Sequence, residues 1–144
     1  MKKFFRAAIE IFVNPTCRYT TFGGSFRFFG GYAIGFYMPK YFLSVYSDQR
    51  TLYSTLNSIV VSLCGFMSAL IGGLVSDKYE KEGIYMTKAY VCIFCGVMGI
   101  PTIMMALLSQ GNFWVSISAL ALEYLFAEGW VGPAITMIVN TITP

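Results

Sequence analysis

Three ionisable residues, Arg27, Glu123 and Glu128, lie inside long apolar stretches of the sequence. A charge in hydrocarbon is costly, so such residues face protein or water-filled cavities and often mark solute pathways. Arg27 either extends its side chain to the nearer membrane interface or points among the helices. Glu123 and Glu128 are too deep to reach an interface, and on one helix they would point roughly 140° apart. We expect one carboxylate to line a cavity and the other to pair with a neighbouring helix.

The sequence around Glu128 predicts an interrupted helix. Pro133 has no N–H to donate to the Gly129 carbonyl, so we expect a kink near Gly129. Backbone groups freed by such a kink can serve a polar site, and broken helices often line transport cavities. Glu128 would there bind a proton, a cation or a polar solute group, or would act only as an interhelical hydrogen-bonding residue.

A second charged motif follows the second apolar stretch, where Gly73 precedes Asp77 and Lys78. We expect these residues to form a loop at the cytoplasmic end of a helix. An aspartate and a lysine at this position can contact neighbouring helix ends in one conformation only. The pattern therefore indicates a gate.

Metal and catalytic chemistry find little support in the residue types. Cys92 and Cys95 form a C-x-x-C pair, but the chain has no second pair and no histidine to complete a zinc or redox site. We expect the cysteines to pack between helices as small residues. Neither a metal nor another cofactor is predicted, and no nucleophile lies at recognisable spacing from a base, so the pattern does not favour an enzyme.

The composition indicates a chain that lies in lipid. Apolar residues make up 56% of the sequence and charged residues 12%, whereas ordinary soluble domains carry about a quarter charged residues. The mean hydropathy is +0.63. The net charge of +3 arises from Lys and Arg scattered singly among apolar runs, so no basic face for nucleic acid is expected.

The apolar stretches predict an all-α polytopic membrane helix bundle. Each of four segments exceeds the length of about 20 residues that a helix needs to span the hydrocarbon core. We place the spans at about residues 19–46, 52–75, 89–108 and 113–142, within a transmembrane region of residues 15–144. Residues 1–14 alternate charged and apolar side chains at helical spacing, which predicts a short amphipathic helix on the membrane surface.

Small residues and charges predict how these helices pack and how they are oriented. Gly65, Ala69 and Gly73 recur every fourth residue, as do Gly31 and Gly35, which is typical of close helix contacts. Positive charge favours the cytoplasmic side. Both termini are expected there, together with the positive residues Lys2, Lys3, Arg6, Arg18, Lys78, Lys81 and Lys88, whereas Lys40 and Arg50 lie on the other side.

The order of these features resembles the major facilitator superfamily. Gly73, Asp77 and Lys78 match its cytoplasmic-loop signature, although Glu80 stands where the family has a further glycine. The basic lead-in, residues 26–32, residues 38–42 and residues 128–144 look like the start of the C-terminal half of a spinster-like transporter. On that resemblance the spans correspond to helices seven to ten of twelve.

The resemblance implies part of a secondary active transporter that moves a small organic or amphipathic solute by alternating access. Lipids, lysolipids and sugars are the solutes implied by the spinster-like branch. With about four spans the chain is interpreted as a truncated fragment, whose partners are the bilayer, the solute and the missing helices or another membrane chain. Two alternatives remain open: a structural subunit of a membrane complex, and a four-helix proton-coupled exporter that acts as a dimer, as small multidrug exporters do.

Overall fold

The computed structural model describes residues 9, 12–81 and 86–142, and this part contains helices and no strand. The predicted surface helix of residues 1–14 lies largely outside it. The helices are α1 (Pro15–Val45), a short 3-10 helix (Ser47–Gln49), α2 (Arg50–Lys81), α3 (Thr87–Leu108), α4 (Phe113–Ala127) and α5 (Val131–Ile142).

Asparagine side chains set the starts of two helices. Asn14 accepts a hydrogen bond from the Thr16 N–H, and Pro15 occupies the first helical position of α1. Asn112 accepts bonds from the Trp114 and Val115 N–H groups at the start of α4. Both asparagine side chains accept hydrogen bonds from backbone N–H groups that have no acceptor inside the helix, so each asparagine stabilises the start of its helix.

Two stretches, Ser47–Glu80 and Thr87–Leu108, are long and apolar enough to span a membrane. In the most apolar window of the first, only 11% of the residues are buried against protein, so its side chains face outward, as in lipid. Helix α1 has 31 residues but contains no window as apolar as those of the two stretches, and α4 and α5 have 15 and 12 residues because the fourth segment is interrupted. The prediction of an all-α membrane helix bundle is confirmed.

The helices run antiparallel between two ends of the bundle. At the first, here called the proximal end, α1 and α3 begin and α2 and α5 end; Cys17 contacts the Ile138 carbonyl there. At the opposite, distal end, the Tyr41 hydroxyl donates to the Leu107 carbonyl and the Tyr46 hydroxyl to the Ser109 carbonyl. These contacts attach α1 to α3 and α5 and fix the level of each residue along the bundle.

Aromatic side chains close the distal end. Phe42 is fully buried, stacks on Tyr53 with ring centroids 4.5 Å apart, and meets Phe113 edge-on at 6.0 Å. Leu120 and Ala106 complete this cluster from α4 and α3. The distal end is therefore densely packed, and open space lies in the middle and at the proximal end of the bundle.

Two expectations about local structure need correction, whereas the segment of residues 113–142 is interrupted at residues 128–130, close to the kink expected near Gly129. Asp77 and Lys78 are helical, because α2 continues to Lys81, and the predicted gating loop is the last turns of this helix. A Cβ atom at Gly65, Gly31 or Gly35 would have no described neighbour within 4 Å, so these glycines make no close helix contact.

Close approach depends instead on Gly72 and Gly129, together with Gly73 from the predicted set. A Cβ atom at Gly72 would overlap the backbone of Gly129, and one at Gly129 would lie 3.1 Å from the Ser68 carbonyl oxygen. Gly73 also contributes to this contact, because its Cα would lie 3.8 Å from a Cβ atom added at Gly132. The glycine face of α2 therefore packs on the interruption between α4 and α5.

Candidate functional site

Arg27 lies in the middle of α1 and points among the helices. Its Nη2 donates to the Ala127 carbonyl at 3.0 Å and lies 3.9 Å from Glu123 Oε1. Gly99 of α3 leaves room for the guanidinium, which would be 3.5 Å from a Cβ atom there. Of the two alternatives for Arg27, the structure shows the orientation into the bundle.

The interruption after α4 provides the carbonyl that holds Arg27. In a continuous helix the Val131 N–H would donate to the Ala127 carbonyl. Here it donates to the Glu128 carbonyl instead, at 3.4 Å, so the Ala127 carbonyl is free to accept from Arg27. Pro133 has no N–H for Gly129, and the Gly129 carbonyl points towards Gly72.

Both carboxylates of α4 line the same small cavity. Glu123 is buried, with a side chain 4% exposed, and faces Arg27, while Glu128 ends α4 and is half-buried. The expected division, with one carboxylate in a cavity and the other paired elsewhere, differs from this arrangement. Glu123 does both, since it lines this cavity and also faces Arg27.

Two cavities meet at Arg27. The small one has a volume of about 220 Å³ and lies between α1 and α4, beside Phe28, Tyr32 and Glu123. The large one has a volume of about 790 Å³ and opens at the proximal end between α1, α3 and α5. Among the described residues, only Arg27 and Trp130 contribute to the lining of both cavities, so these two side chains stand at the boundary.

Trp130 fills the space between α1 and α3 at this boundary. Its indole meets Phe28 edge-on with ring centroids 5.1 Å apart, and its Cζ3 would lie 3.2 Å from a Cβ atom at Gly24. The Trp130 carbonyl faces Cys92, whose Sγ is 3.6 Å away. The residue is 8% exposed, so the indole is held on several sides.

A second cation of the large cavity is already neutralised. Lys88 Nζ lies 2.7 Å from Glu80 Oε2, and the lysine side chain is only 3% exposed. This ion pair joins the end of α2 to the start of α3. Asp77 and Lys78, which were expected to form the charged contact here, are exposed, and Lys78 lies 5.8 Å from the ring of Tyr79.

No metal site accompanies these charges in the described ranges, where no group of three His, Cys, Asp or Glu side chains is close enough to hold an ion. The four cysteines carry free thiols. Cys95 lies against Gly129 and Cys92 against Trp130, so both contact the interrupted segment.

Comparison with known families decides the class of the protein. The sequence model of the Organic Anion Transporter Polypeptide (OATP) family matches residues 1–114, which is more than half of the chain. The chain belongs to the OATP family. This is a transporter family of the major facilitator superfamily, so the superfamily prediction is confirmed, whereas the spinster-like branch stays a prediction without support.

The OATP family match contains one side of the candidate site. Arg27, Gly24 and Lys88 lie within residues 1–114, whereas Glu123, Glu128 and Trp130 lie beyond them. No curated protein and no solved structure is similar enough to match the chain. The geometry described above is therefore the basis for assigning roles to individual residues.

The sequence locates the charges but does not show which of them pair. Opposite charges in two apolar segments, here Arg27 and Glu123, are nevertheless a usable signal for a pair. The sequence carries no signal for the positions of Trp130 and Gly24. Lys88 lies outside the predicted spans, and its burial beside Glu80 depends on how α2 and α3 meet.

Proposed function

We propose that this chain forms part of one half of a transporter for organic anions, with Arg27 as the contact for the anionic group. The family name supplies the class of solute. Arg27 is the observation that carries the proposal, because its guanidinium borders both cavities and is held by one carbonyl and by Glu123 at 3.9 Å. A guanidinium has five N–H donors in a planar fork that suits carboxylate, sulfate and phosphate groups.

The donors of Arg27 are not all used. Its Nε is buried and has no hydrogen-bond partner among the described residues, and its side chain is 24% exposed. Lys88 is a weaker candidate because Glu80 already neutralises it at 2.7 Å. An incoming anion therefore gains more from Arg27 than from Lys88.

The large cavity suits a solute with an apolar body. Tyr19, Ile93 and Met137 give it apolar walls, while Arg27 stands at its deep end. Gly99, which contacts Arg27, and Lys88 lie roughly 16 Å apart along α3. An amphipathic anion can thus place its charge on Arg27 and its body towards the proximal opening.

The cavities open sideways, which favours a half-transporter. Tyr19 lines the large cavity and Tyr32 the small one, yet they are 69% and 78% exposed. Alternating access needs a second set of helices that closes such a site from the other side. In this proposal those helices come from further sequence or from another membrane chain.

Binding of octane-1-sulfonate to the chain in lipid nanodiscs, measured by calorimetry, tests the role of Arg27. We expect it to bind more tightly than the uncharged octan-1-ol. Arg27→Gln should weaken sulfonate binding at least about tenfold, since a hydrogen bond to a charged group contributes about 1.5–3 kcal/mol. The matched control is Lys40→Gln, because Lys40 lies over the Phe36 ring and lines neither cavity. Equal affinity for sulfonate and alcohol, or for wild type and Arg27→Gln, would overturn the proposal.

Uptake into proteoliposomes tests the half-transporter interpretation separately. We expect the chain alone to bind radiolabelled octane-1-sulfonate but not to accumulate or exchange it across the membrane. Exchange by the chain alone that is lost in Glu128→Gln would instead favour the proton-coupled dimeric exporter.

A further inference from the structure

The boundary between the two cavities is built from very few groups. In the part of the chain that the structure describes, Arg27 and Trp130 alone line both cavities, and the indole extends from Gly24, on the large cavity, to Phe28, on the small one. A solute that passes directly from one cavity to the other must therefore pass between or displace the side chains of Arg27 and Trp130. Trp130 is consequently placed as a barrier and not only as a packing residue.

The position of the barrier depends on the interrupted backbone. Trp130 is the last residue of the non-helical segment 128–130, which starts directly after Ala127. Gly129 packs closely against α2 and α3. A Cβ atom added at Gly129 would lie 3.1 Å from the Ser68 carbonyl oxygen and 3.2 Å from Cys95 Sγ. Since Gly129 has little room, it fixes one point of the segment, and the contacts on either side of it decide where the indole lies.

Arg27 supplies one of these contacts. Its hydrogen bond to the Ala127 carbonyl and its ion pair with Glu123 attach the end of α4 to α1. Gly24 stands one helical turn before Arg27 on α1 and provides the space for the indole. The residue that would contact the anion is thus the residue that holds the barrier in place.

We propose that Trp130 is the gate between the two cavities, that Gly24 is its seat, and that an anion bound to Arg27 opens the gate. The anion competes with the Ala127 carbonyl and Glu123 for the guanidinium donors, so the end of α4 loses its attachment and the indole leaves Gly24. This inference rests on the proposed function, since it needs an anion at Arg27. It adds a gating residue that is located outside the part of the chain matched by the family.

Trp130 fluorescence provides the test. The chain has two tryptophans, and Trp114 is 60% exposed near the distal end, so Trp114→Phe leaves Trp130 as the only reporter. In nanodiscs, octane-1-sulfonate should shift the emission to longer wavelengths and increase quenching by acrylamide. Octan-1-ol should do neither, and Lys40→Gln should respond like its parent.

Two further variants separate the gate from its trigger. Arg27→Gln should show the shifted emission without any anion and no further change when sulfonate is added. Gly24→Ala should also shift the emission, because the added Cβ would lie 3.2 Å from the indole. Gly30→Ala is the matched control, since a Cβ there has no described neighbour within 4 Å.

Calorimetry on the same samples distinguishes the two possible failures. If sulfonate binds through Arg27 but the emission and quenching of Trp130 stay unchanged, the gate is overturned and the proposed function stands. If no binding depends on Arg27, the proposed function fails and the gate fails with it. If Gly24→Ala and Gly30→Ala have identical Trp130 emission, the proposed role of Gly24 as the residue against which the indole lies is overturned.

Discussion

A charged side chain inside the bundle needs partners, and those of Arg27 come from two sources. Glu123 contributes a charge, whereas Ala127 contributes a carbonyl that is free because the Val131 N–H donates to Glu128. The carbonyl is at hydrogen-bond distance, but the carboxylate at 3.9 Å is not. Arg27 is therefore stabilised without being saturated, as the proposed contact with an anion requires.

If Glu123 competes with the solute for Arg27, its neutralisation should favour the solute. We expect Glu123→Gln to bind octane-1-sulfonate about two- to tenfold more tightly than wild type, a gain of about 0.4–1.4 kcal/mol. Glu128→Gln is the matched control, because Glu128 lines the same cavity and makes no ion pair in the described part of the chain. Calorimetry in nanodiscs measures both, and weaker binding by Glu123→Gln would show that the carboxylate assists the anion site.

At this scale the sequence identifies which residues are unusual but not which of them meet. Arg27, Glu123 and Glu128 stand out because charges are costly in hydrocarbon. Gly24 and Trp130 carry no comparable signal, since glycine and tryptophan are ordinary in membrane helices. Their contact depends on the rotation of α1 relative to α5, and the periodicity of one sequence does not define that rotation.

The interrupted fourth segment is the element that organises the site. Pro133 and the local sequence predict an interruption near Gly129, and the structure separates α4 from α5 at residues 128–130. The neighbour that accommodates it could not be predicted, because Gly72 and Gly73 are equally suited to close contact. Gly72 is the one whose added Cβ would overlap Gly129, so the register between α2 and the interruption makes the difference.

Gly72→Ala should destabilise the bundle by about 1–3 kcal/mol, because the added Cβ forces apart two backbones that have no flexible side chain to yield. Thermal unfolding of the purified chain in detergent, followed by circular dichroism, measures the change as a lower melting temperature. Gly65→Ala is the control on the same helix, and with open space at its Cβ it should be neutral or slightly stabilising. Equal melting temperatures for the two variants would contradict the close contact of α2 with Gly129.

The junction of α2 and α3 depends on a different interaction. Glu80→Gln leaves the buried Lys88 without its counter-charge and should cost about 1–3 kcal/mol, less than a fully buried pair because Glu80 is partly exposed. The double variant Glu80→Gln with Lys88→Met should recover most of this loss. Asp77→Asn, at an exposed position of the same helix, is the matched control in the same melting experiment. If Asp77→Asn costs as much as Glu80→Gln, the charged contact belongs to the predicted motif after all.

For the whole molecule, the sequence indicates a lipid environment more clearly than it indicates how the helices are arranged. High apolar content and scarce charge predict a membrane bundle, and outward-facing apolar helices agree with it. The lateral openings of the cavities were not predictable, because they depend on which helices stand next to each other. The bundle is closed by aromatic packing at the distal end and open at the proximal end.

The orientation of these ends in the membrane is a prediction that follows from charge. Positive residues are concentrated towards the proximal end, so we expect that end to face the cytoplasm. In a chain whose four cysteines are replaced by serine, an impermeant maleimide added to intact cells should label Asp48→Cys and Gly111→Cys at the distal connections. Met86→Cys at the proximal connection should be labelled only after the cells are permeabilised. The opposite pattern would place the large cavity and its opening on the outside, so that Trp130 would control release to the cytoplasm instead of entry from it.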